Sequence, residues 1–336
     1  MKFFVSGHKG YIGAQLLPLL KAAGHHVTGC DLGLYSGYEW CDLPQADFEL
    51  CCDIRQLSED DLIGHDCVIH LAAISNDSME NIDSHLTSRI NCDGALRVAK
   101  LAKAVGIRRF IFPSSCSIYG HSSGSALDEA APFHPLSAYA QSKIQAEAMI
   151  RELASENFSP TFLRFATAYG YSPSLRLDFM VNNLLGYAFA ENHIQVSTDG
   201  TPWRPIIHCV DIARALLAFS ECPRVFIHNR SVNIGSDEQN FQICDIANQV
   251  SKLSNCPSIQ YSAHSMTLPP RNYRVNFSLF RQLLPNFTFK FDLEKGLEEL
   301  YQELKNRPLS HHDFTGPKFN RFRGLKERLH LLTLPV

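Results

Sequence analysis

The chain has 336 residues, is 45% hydrophobic and 19% charged, and carries a formal net charge of −3. That is an ordinary globular composition with an ample core, and nothing in it favours nucleic acid or a membrane surface as partner. Its 11 cysteines form no C-x-x-C pair, no apolar run approaches the ~20 residues of a membrane span, and the first residues run straight into a strand. A reduced, cytoplasmic protein without zinc knuckle, disulfide framework or membrane anchor is therefore expected.

Phe3-Phe-Val-Ser6 reads as a wholly apolar strand, followed by the glycine turn Gly7-His-Lys-Gly10-Tyr-Ile-Gly13. A helix is expected near Ile12–Ala23, closed by Gly24 as a left-handed cap. His26–Cys30 is a second strand ending at Asp31, and Asp66–Ala73 a third. A helix around Leu86–Val105 ends at Gly106, the strand Arg109–Ser115 follows, and Ser137–Ser155 reads as a long helix before the strand Pro160–Phe165. Apolar strands separated by helices predict a parallel sheet covered on both faces. This is the doubly wound α/β pattern, with its ligand crevice beyond the C-terminal strand ends.

After about residue 170 the regularity breaks. Short strands (Ile194–Ser197, Ile206–Cys209, Ser231–Ile234) alternate with helices near Asp211–Ser220 and Ile243–Leu253, and the loops 198–205 and 268–276 are rich in proline and polar residues. The reading is a nucleotide-binding Rossmann domain over residues 1–170 and a smaller, interleaved α/β lobe over 171–336. Lys305, Arg307, Lys318, Arg321, Arg323, Lys326 and Arg328 make the last stretch basic. It is expected to be a solvated tail or an arm covering the lobe. His25-His26 and His311-His312 have no partners at metal-ligand spacing, so no metal is assigned.

The glycine turn sits between a strand and a helix, the context a dinucleotide pyrophosphate needs to rest on backbone N–H groups of Gly10, Tyr11, Ile12 and Gly13. Asp31, ending the next strand, can accept both hydroxyls of an adenosine ribose and would repel a 2′-phosphate, which favours NAD over NADP. Lys9 is a reservation, since a cation there could still reach phosphate. Tyr139-Ala-Gln-Ser-Lys143 places a phenol and an ammonium one helical turn apart. A phenol with pKa about 10 is a poor base at neutral pH, but a neighbouring ammonium favours phenolate. Ser115, at the end of the preceding strand, can hydrogen-bond and orient the reacting oxygen.

The Gly7-x-x-Gly10-x-x-Gly13 spacing, Ser114-Ser115-Cys-Ser-Ile-Tyr119-Gly120 and the Tyr139/Lys143 pair together resemble the extended short-chain dehydrogenase/reductase family of nucleotide-sugar epimerases and dehydratases, over essentially the whole chain. The resemblance implies that Asp53-Ile54 contact adenine, that Leu71-Ala72-Ala73 lie over the cofactor, and that Asn91 is the helical asparagine that steadies the site. It also implies a nucleoside diphosphate sugar as partner, with Asn182-Asn183 near the diphosphate. Arg204, in the motif Trp203-Arg204-Pro-Ile-Ile-His208-Cys-Val-Asp211, and Arg271 would bind the two phosphates. His208 and Asp211 would fix the turn into a helix. A homodimer through a helix pair that includes the Tyr139 helix is the family's common assembly.

Members that eliminate water or decarboxylate carry a carboxylate just after this serine or threonine. Here Cys116-Ser117 stand there, which argues against those reactions, although Cys116 could still line the pocket. The reading is an NAD-dependent nucleotide-sugar epimerase acting at carbon 4 through a 4-keto intermediate. The alternative is an NAD(P)H-dependent nucleotide 4-keto-sugar reductase. A non-enzymatic nucleotide sensor is a third reading, disfavoured because both Tyr139 and Lys143 are kept.

Overall fold

The structure is a computed structural model that describes residues 1–75, 83–122, 124–262, 271–307 and 309–332. Part of the proline-rich 268–276 loop therefore lies outside the described residues. Strands β1 (Lys2–Ser6), β2 (His26–Cys30), β3 (Phe48–Leu50), β4 (Cys67–His70), β5 (Arg109–Ser115) and β6 (Ser159–Phe165) build the first half. With β10 (Arg230–Ile234) they form one seven-stranded sheet in the order β10-β6-β5-β4-β1-β2-β3, parallel throughout. Between these strands run helices α1 (Gly13–Ala22), α2 (Ser84–Ser88), α3 (Ala95–Ala104) and α4 (Ala138–Arg151). This is the expected doubly wound Rossmann fold.

Alternate side chains of each strand point to opposite faces, and both faces are covered. Phe3, Val5, Cys67, Ile69 and Ile111 pack with Leu16, Leu17 and Leu20 of α1 on one side. Phe4, Val68, Phe110 and Phe112 pack with Val98 of α3 and with Ala146 and Ile150 of α4 on the other. Gly24 takes φ +78° after α1 and Gly106 takes φ +82° after α3, which is the left-handed backbone that stops each helix. The expected 86–105 helix is not uniform. Its middle, Arg89–Gly94, is a π-helical turn between α2 and α3.

The remaining strands are β7 (Thr167–Tyr169), β8 (Ile194–Val196), β9 (Trp203–His208), β10 (Arg230–Ile234), β11 (Asn240–Gln242) and β12 (Ile259–Tyr261). The remaining helices are α5 (Met180–Glu191), α6 (Cys209–Glu221), α7 (Arg224–Ile227), α8 (Ile243–Ser254), α9 (Ser278–Leu283), α10 (Leu293–Asn306), α11 (His311–Thr315) and α12 (Arg321–Arg328). The small sheets β11-β9-β7 and β12-β8 belong with α5, α8 and α10 around a separate core of Leu184, Leu185, Ile246, Val250, Leu297 and Leu300.

β10 returns to pair with β6 in the large sheet, and α6 lies against α1. The basic last stretch is not a solvated tail. Arg321, Leu325 and Leu332 are buried, the two leucines in the core that also holds Leu34, Ile54 and Leu57 of the first half. Among the described residues no helix is long and apolar enough to cross a membrane, and no cluster of His, Cys, Asp and Glu could hold a metal ion.

Candidate active site

A cavity of about 890 Å³ lies beyond the C-terminal ends of the large sheet, between it and the second lobe. It is lined by Gly7, Gly10, Tyr11, Ile12 and Gly13, by Asp31, by Asp53 and Ile54, and by Leu71, Ala72 and Ala73. Ser115, Tyr139 and Lys143 line its middle; Asn183, Arg204 and Arg271 line it from the other lobe. Two of the expected site residues, Asn91 and Asn182, do not.

The glycine turn is tight for steric reasons. Gly7 takes φ +75°, and a Cβ there would stand 2.6 Å from the backbone nitrogen of Ala72; a Cβ on Gly13 would stand 2.5 Å from the carbonyl oxygen of Gly7. The turn leaves the N–H groups of Tyr11, Ile12 and Gly13 without a protein acceptor among the described residues, at the positive end of α1. These donors fit a pyrophosphate. Asp31 accepts from the backbone N–H of Lys9 (3.1 Å) and of Gly33 (2.8 Å), so its carboxylate is held at the rim where a ribose would lie. Lys9 Nζ is 2.8 Å from Glu49 of β3, a carboxylate that pairs the cation in the glycine turn.

Asp53 caps a short 3₁₀ turn and is gripped by Arg55 at 2.7 and 3.0 Å. Burial alone would raise its pKa, but the hydrogen bonds from Arg55 outweigh that and hold the carboxyl below its ordinary range. Tyr11 donates its hydroxyl to the carbonyl of Gly170 (2.6 Å), and burial raises its pKa well above normal. Its phenol ties the glycine turn to the second lobe, so only its backbone is available to a phosphate.

Ser115 ends β5 in an extended conformation. Its Oγ donates to Ser117 Oγ (2.9 Å) and accepts from the Ser117 N–H (3.1 Å). Helix α4 starts one residue after Ser137, whose Oγ accepts from the Ala140 N–H, so Tyr139 sits in the first turn and Lys143 in the second. Lys143 Nζ lies 5.7 Å from the Tyr139 ring centroid and 4.5 Å from that of Phe112. Burial brings the ammonium down to about 8, only partly opposed by Glu147 one turn further along α4. Glu147 is itself paired with buried Arg164 at 2.8 Å. Beneath Lys143, His70 is pushed down to about 3 by burial and then by the lysine, so it adds no charge at neutral pH.

Asn91 is a brace rather than a wall of the cavity. Its carboxamide accepts from the Ile74 N–H and donates to the Ile74 carbonyl, both at 2.8 Å, and also donates to Ser142 Oγ at 3.1 Å. It thereby joins the end of β4 to the helix bearing Tyr139 and Lys143. Asn182 departs from the expectation of a diphosphate contact. It is fully buried and bonded to Gly170 N and O, Arg176 O and the Tyr11 hydroxyl. Its neighbour Asn183 does face the cavity and donates to Leu177 O.

Arg204 donates to the carbonyls of Trp203 and Arg271, which brings the two arginines together at the cavity wall. Cys116 does not line the cavity. It is fully buried and bonded to the Arg164 carbonyl, and burial pushes its thiol far up. Ser117 faces the cavity instead. His208 precedes α6, its ring accepting from the Val210 N–H and stacking on Phe291, and Asp211 accepts from the N–H groups of Lys290 and Phe291.

Residues not singled out in the sequence also reach the cavity. Arg176 is buried, gripped by Asp178 at 2.9 Å and bonded to Ser75 Oγ at 2.7 Å. An arginine two residues from an aspartate just past the Gly170 turn was the available signal. Arg321 and Leu332, from the last stretch, line the cavity as well.

Comparison with known proteins agrees with this architecture. Residues 3–235 match the NAD dependent epimerase/dehydratase family. A Bacillus subtilis protein described as an uncharacterized UDP-glucose epimerase, YtcB, is 26% identical over 300 residues, 84% of this chain and 92% of its own. UDP-glucose 4-epimerase of Mus musculus is 26% identical over 277 residues, 70% of this chain and 77% of its own. UDP-glucuronic acid 4-epimerase from Bacillus cereus, solved with UDP-glucuronic acid and NAD, superposes with a TM-score of 0.79 at 25% identity, covering 91% of this chain and 99% of that one. TunA, an NAD-dependent NDP-hexosamine 5,6-dehydratase, superposes at 0.82 with 23% identity over 92% and 99% of the two chains, a likeness of fold. With the glycine turn, Asp31 and the Ser115/Tyr139/Lys143 set in one cavity, the chain belongs to the NAD dependent epimerase/dehydratase family and is an NAD-dependent enzyme.

Proposed function

We propose that this protein epimerises a nucleoside diphosphate sugar at carbon 4 through a 4-keto intermediate. One observation carries the reading: Ser115, Tyr139 and Lys143 line the same cavity as the glycine turn, while the position after Ser115 offers no carboxylate. Cys116 faces away and Ser117 is a hydroxyl. Among the described residues the cavity's carboxylates are Asp31, Glu39, Asp53 and Asp178, on the dinucleotide side or tied to Arg176. Elimination of water needs an acid and a base beside the sugar, and proton transfer at one hydroxyl needs only the phenol.

The bound dinucleotide supplies a hydride acceptor and donor for the sugar carbon. Tyr139 takes the proton of the hydroxyl at that carbon and later returns a proton to the new one. Lys143 stabilises the phenolate from one turn away, and Ser115 holds the reacting oxygen in line with Tyr139. Arg204, Arg271 and Asn183 line the cavity from the second lobe, where they would neutralise and bond a diphosphate. The keto sugar then turns while its diphosphate stays held. We further propose a homodimer formed through α4, tested by sedimentation.

UDP sugars are named for the Bacillus and mouse relatives, so they are the first to try. Wild-type protein with catalytic NAD should interconvert carbon-4 epimers, followed by proton NMR, without net absorbance change at 340 nm. Tyr139→Phe should lower the rate by ~10²-fold or more. Stoichiometric consumption of NADH by a 4-keto sugar, with no epimer formed, would replace this reading by the reductase.

A further inference from the structure

Residues 309–332 leave the second lobe, cross back to the first half and end beside the dinucleotide end of the cavity. Leu325 and Leu332 enter the core with Leu34, Ile54 and Leu57, and the Leu332 carbonyl accepts from Arg55 Nη2 (2.9 Å), the same nitrogen that grips Asp53. Leu332 itself lines the cavity, as do Ile54, Leu34 and Tyr35.

Arg321 is the notable side chain of this arm. It lines the cavity and is only 4% exposed. Its guanidinium lies over the Tyr35 ring at 4.1 Å, four residues past Asp31, and its Nη2 donates to Ser174 Oγ at 2.6 Å. Its backbone N–H reaches Asp178, the carboxylate that grips Arg176. Arg321 Nη1 has no hydrogen-bond partner among the described residues. A buried cationic donor left unpaired is costly, and an anion arriving in the cavity removes that cost.

We propose that the arm 309–332 is a clasp for the dinucleotide, in which the Arg321 guanidinium turns its unpartnered, enclosed Nη1 toward a phosphate oxygen and Leu332 covers the adenosine. The same guanidinium chemistry would suit a phosphate of the nucleotide sugar. The dinucleotide is favoured because Arg321 rests on Tyr35, on the Asp31 side, and Leu332 rests beside Asp53-Ile54, whereas Arg204 and Arg271 stand at the sugar-nucleotide side. A clasp that holds the dinucleotide through the keto stage suits an enzyme that must return the hydride it has taken. That use rests on the proposed epimerisation, but the test does not, because it needs no sugar and no turnover.

The affinities of ADP-ribose, adenosine and UDP are measured by calorimetry for wild type, Arg321→Met and Arg321→Lys. Arg321→Met should bind ADP-ribose roughly 10- to 100-fold more weakly, with Arg321→Lys intermediate, while adenosine and UDP stay within about twofold. Unchanged ADP-ribose affinity, an equal loss for adenosine, or a loss confined to UDP would each overturn the proposal. If Arg321→Met melts at a lower temperature, hydrogen exchange of the wild-type protein decides. Slower amide exchange over 317–332 on adding ADP-ribose supports the clasp, and unchanged exchange there overturns it.

Discussion

Lys143 donates a 2.7 Å hydrogen bond from Nζ to the carbonyl oxygen of Pro113, tying α4 to the strand that ends in Ser115. The bond fixes where the ammonium stands relative to Tyr139 and leaves its other hydrogens available. Lys143→Met should therefore cut kcat by ~10²–10⁴-fold and move the acid limb of the rate profile to higher pH, because the phenol loses its stabilising charge. A profile that drops in height without shifting would show that the lysine only positions the helix.

Asp31 holds two backbone N–H groups in addition to its place at the cavity rim. Asp31→Ser should weaken NAD binding by roughly 10- to 100-fold and narrow or abolish the preference over NADP. Fluorescence titration with both dinucleotides checks this. Retention of the full preference would move the discriminating residue elsewhere.

Asn182 serves the fold. Asn182→Ala strips several buried bonds around Gly170 and Arg176 and should destabilise the protein by about 2–4 kcal/mol. The KM for the sugar nucleotide, measured well below the melting temperature, should stay within about twofold of wild type. A large KM change at unchanged stability would return Asn182 to the substrate site.

His70 makes stability fall in acid. Its folded pKa, about 3, lies below its value in the unfolded chain, near 6.5, so between these limits the unfolded chain binds a proton that the native protein does not. Stability is therefore full above pH 6.5 and declines as pH falls, by up to ~1.4 kcal/mol per pH unit for this one proton. His70→Gln removes the titration while its amide can still bond Ser6 Oγ. Urea unfolding at pH 7 and pH 5 should show wild type losing about 2 kcal/mol more than the variant. Equal losses would contradict the assignment.

The first half was legible because each central strand is largely buried and α1 and α3 each stop at a left-handed glycine, Gly24 and Gly106. β3 escaped notice: Phe48-Glu-Leu50 is only three residues long and largely exposed. α5 escaped too, since apolar residues surround it on nearly every side and leave no 3.6-residue rhythm to read. The α10 stripe Leu293, Leu297, Leu300, Leu304 does carry that rhythm and could have been found. Tyr139 and Lys143 were readable because spacing along one helix sets their separation. Asn182 and Asn183 were not separable, because neighbours on a helix point about 100° apart and only the packed structure fixes its rotation. Arg321 gave no sign, because a buried arginine inside a basic run looks like any solvated one.

The Arg55–Leu332 contact brings together residues from opposite ends of the fold. During synthesis β1, β2 and the glycine turn precede the edge strand β10 (Arg230–Ile234), and the wall supplied by Leu332 follows only after that. A nascent chain thus exposes an incomplete nucleotide cradle for most of its elongation. The proposed hold on the dinucleotide forms only once synthesis has passed Leu332, and the amino-terminal half alone does not supply it.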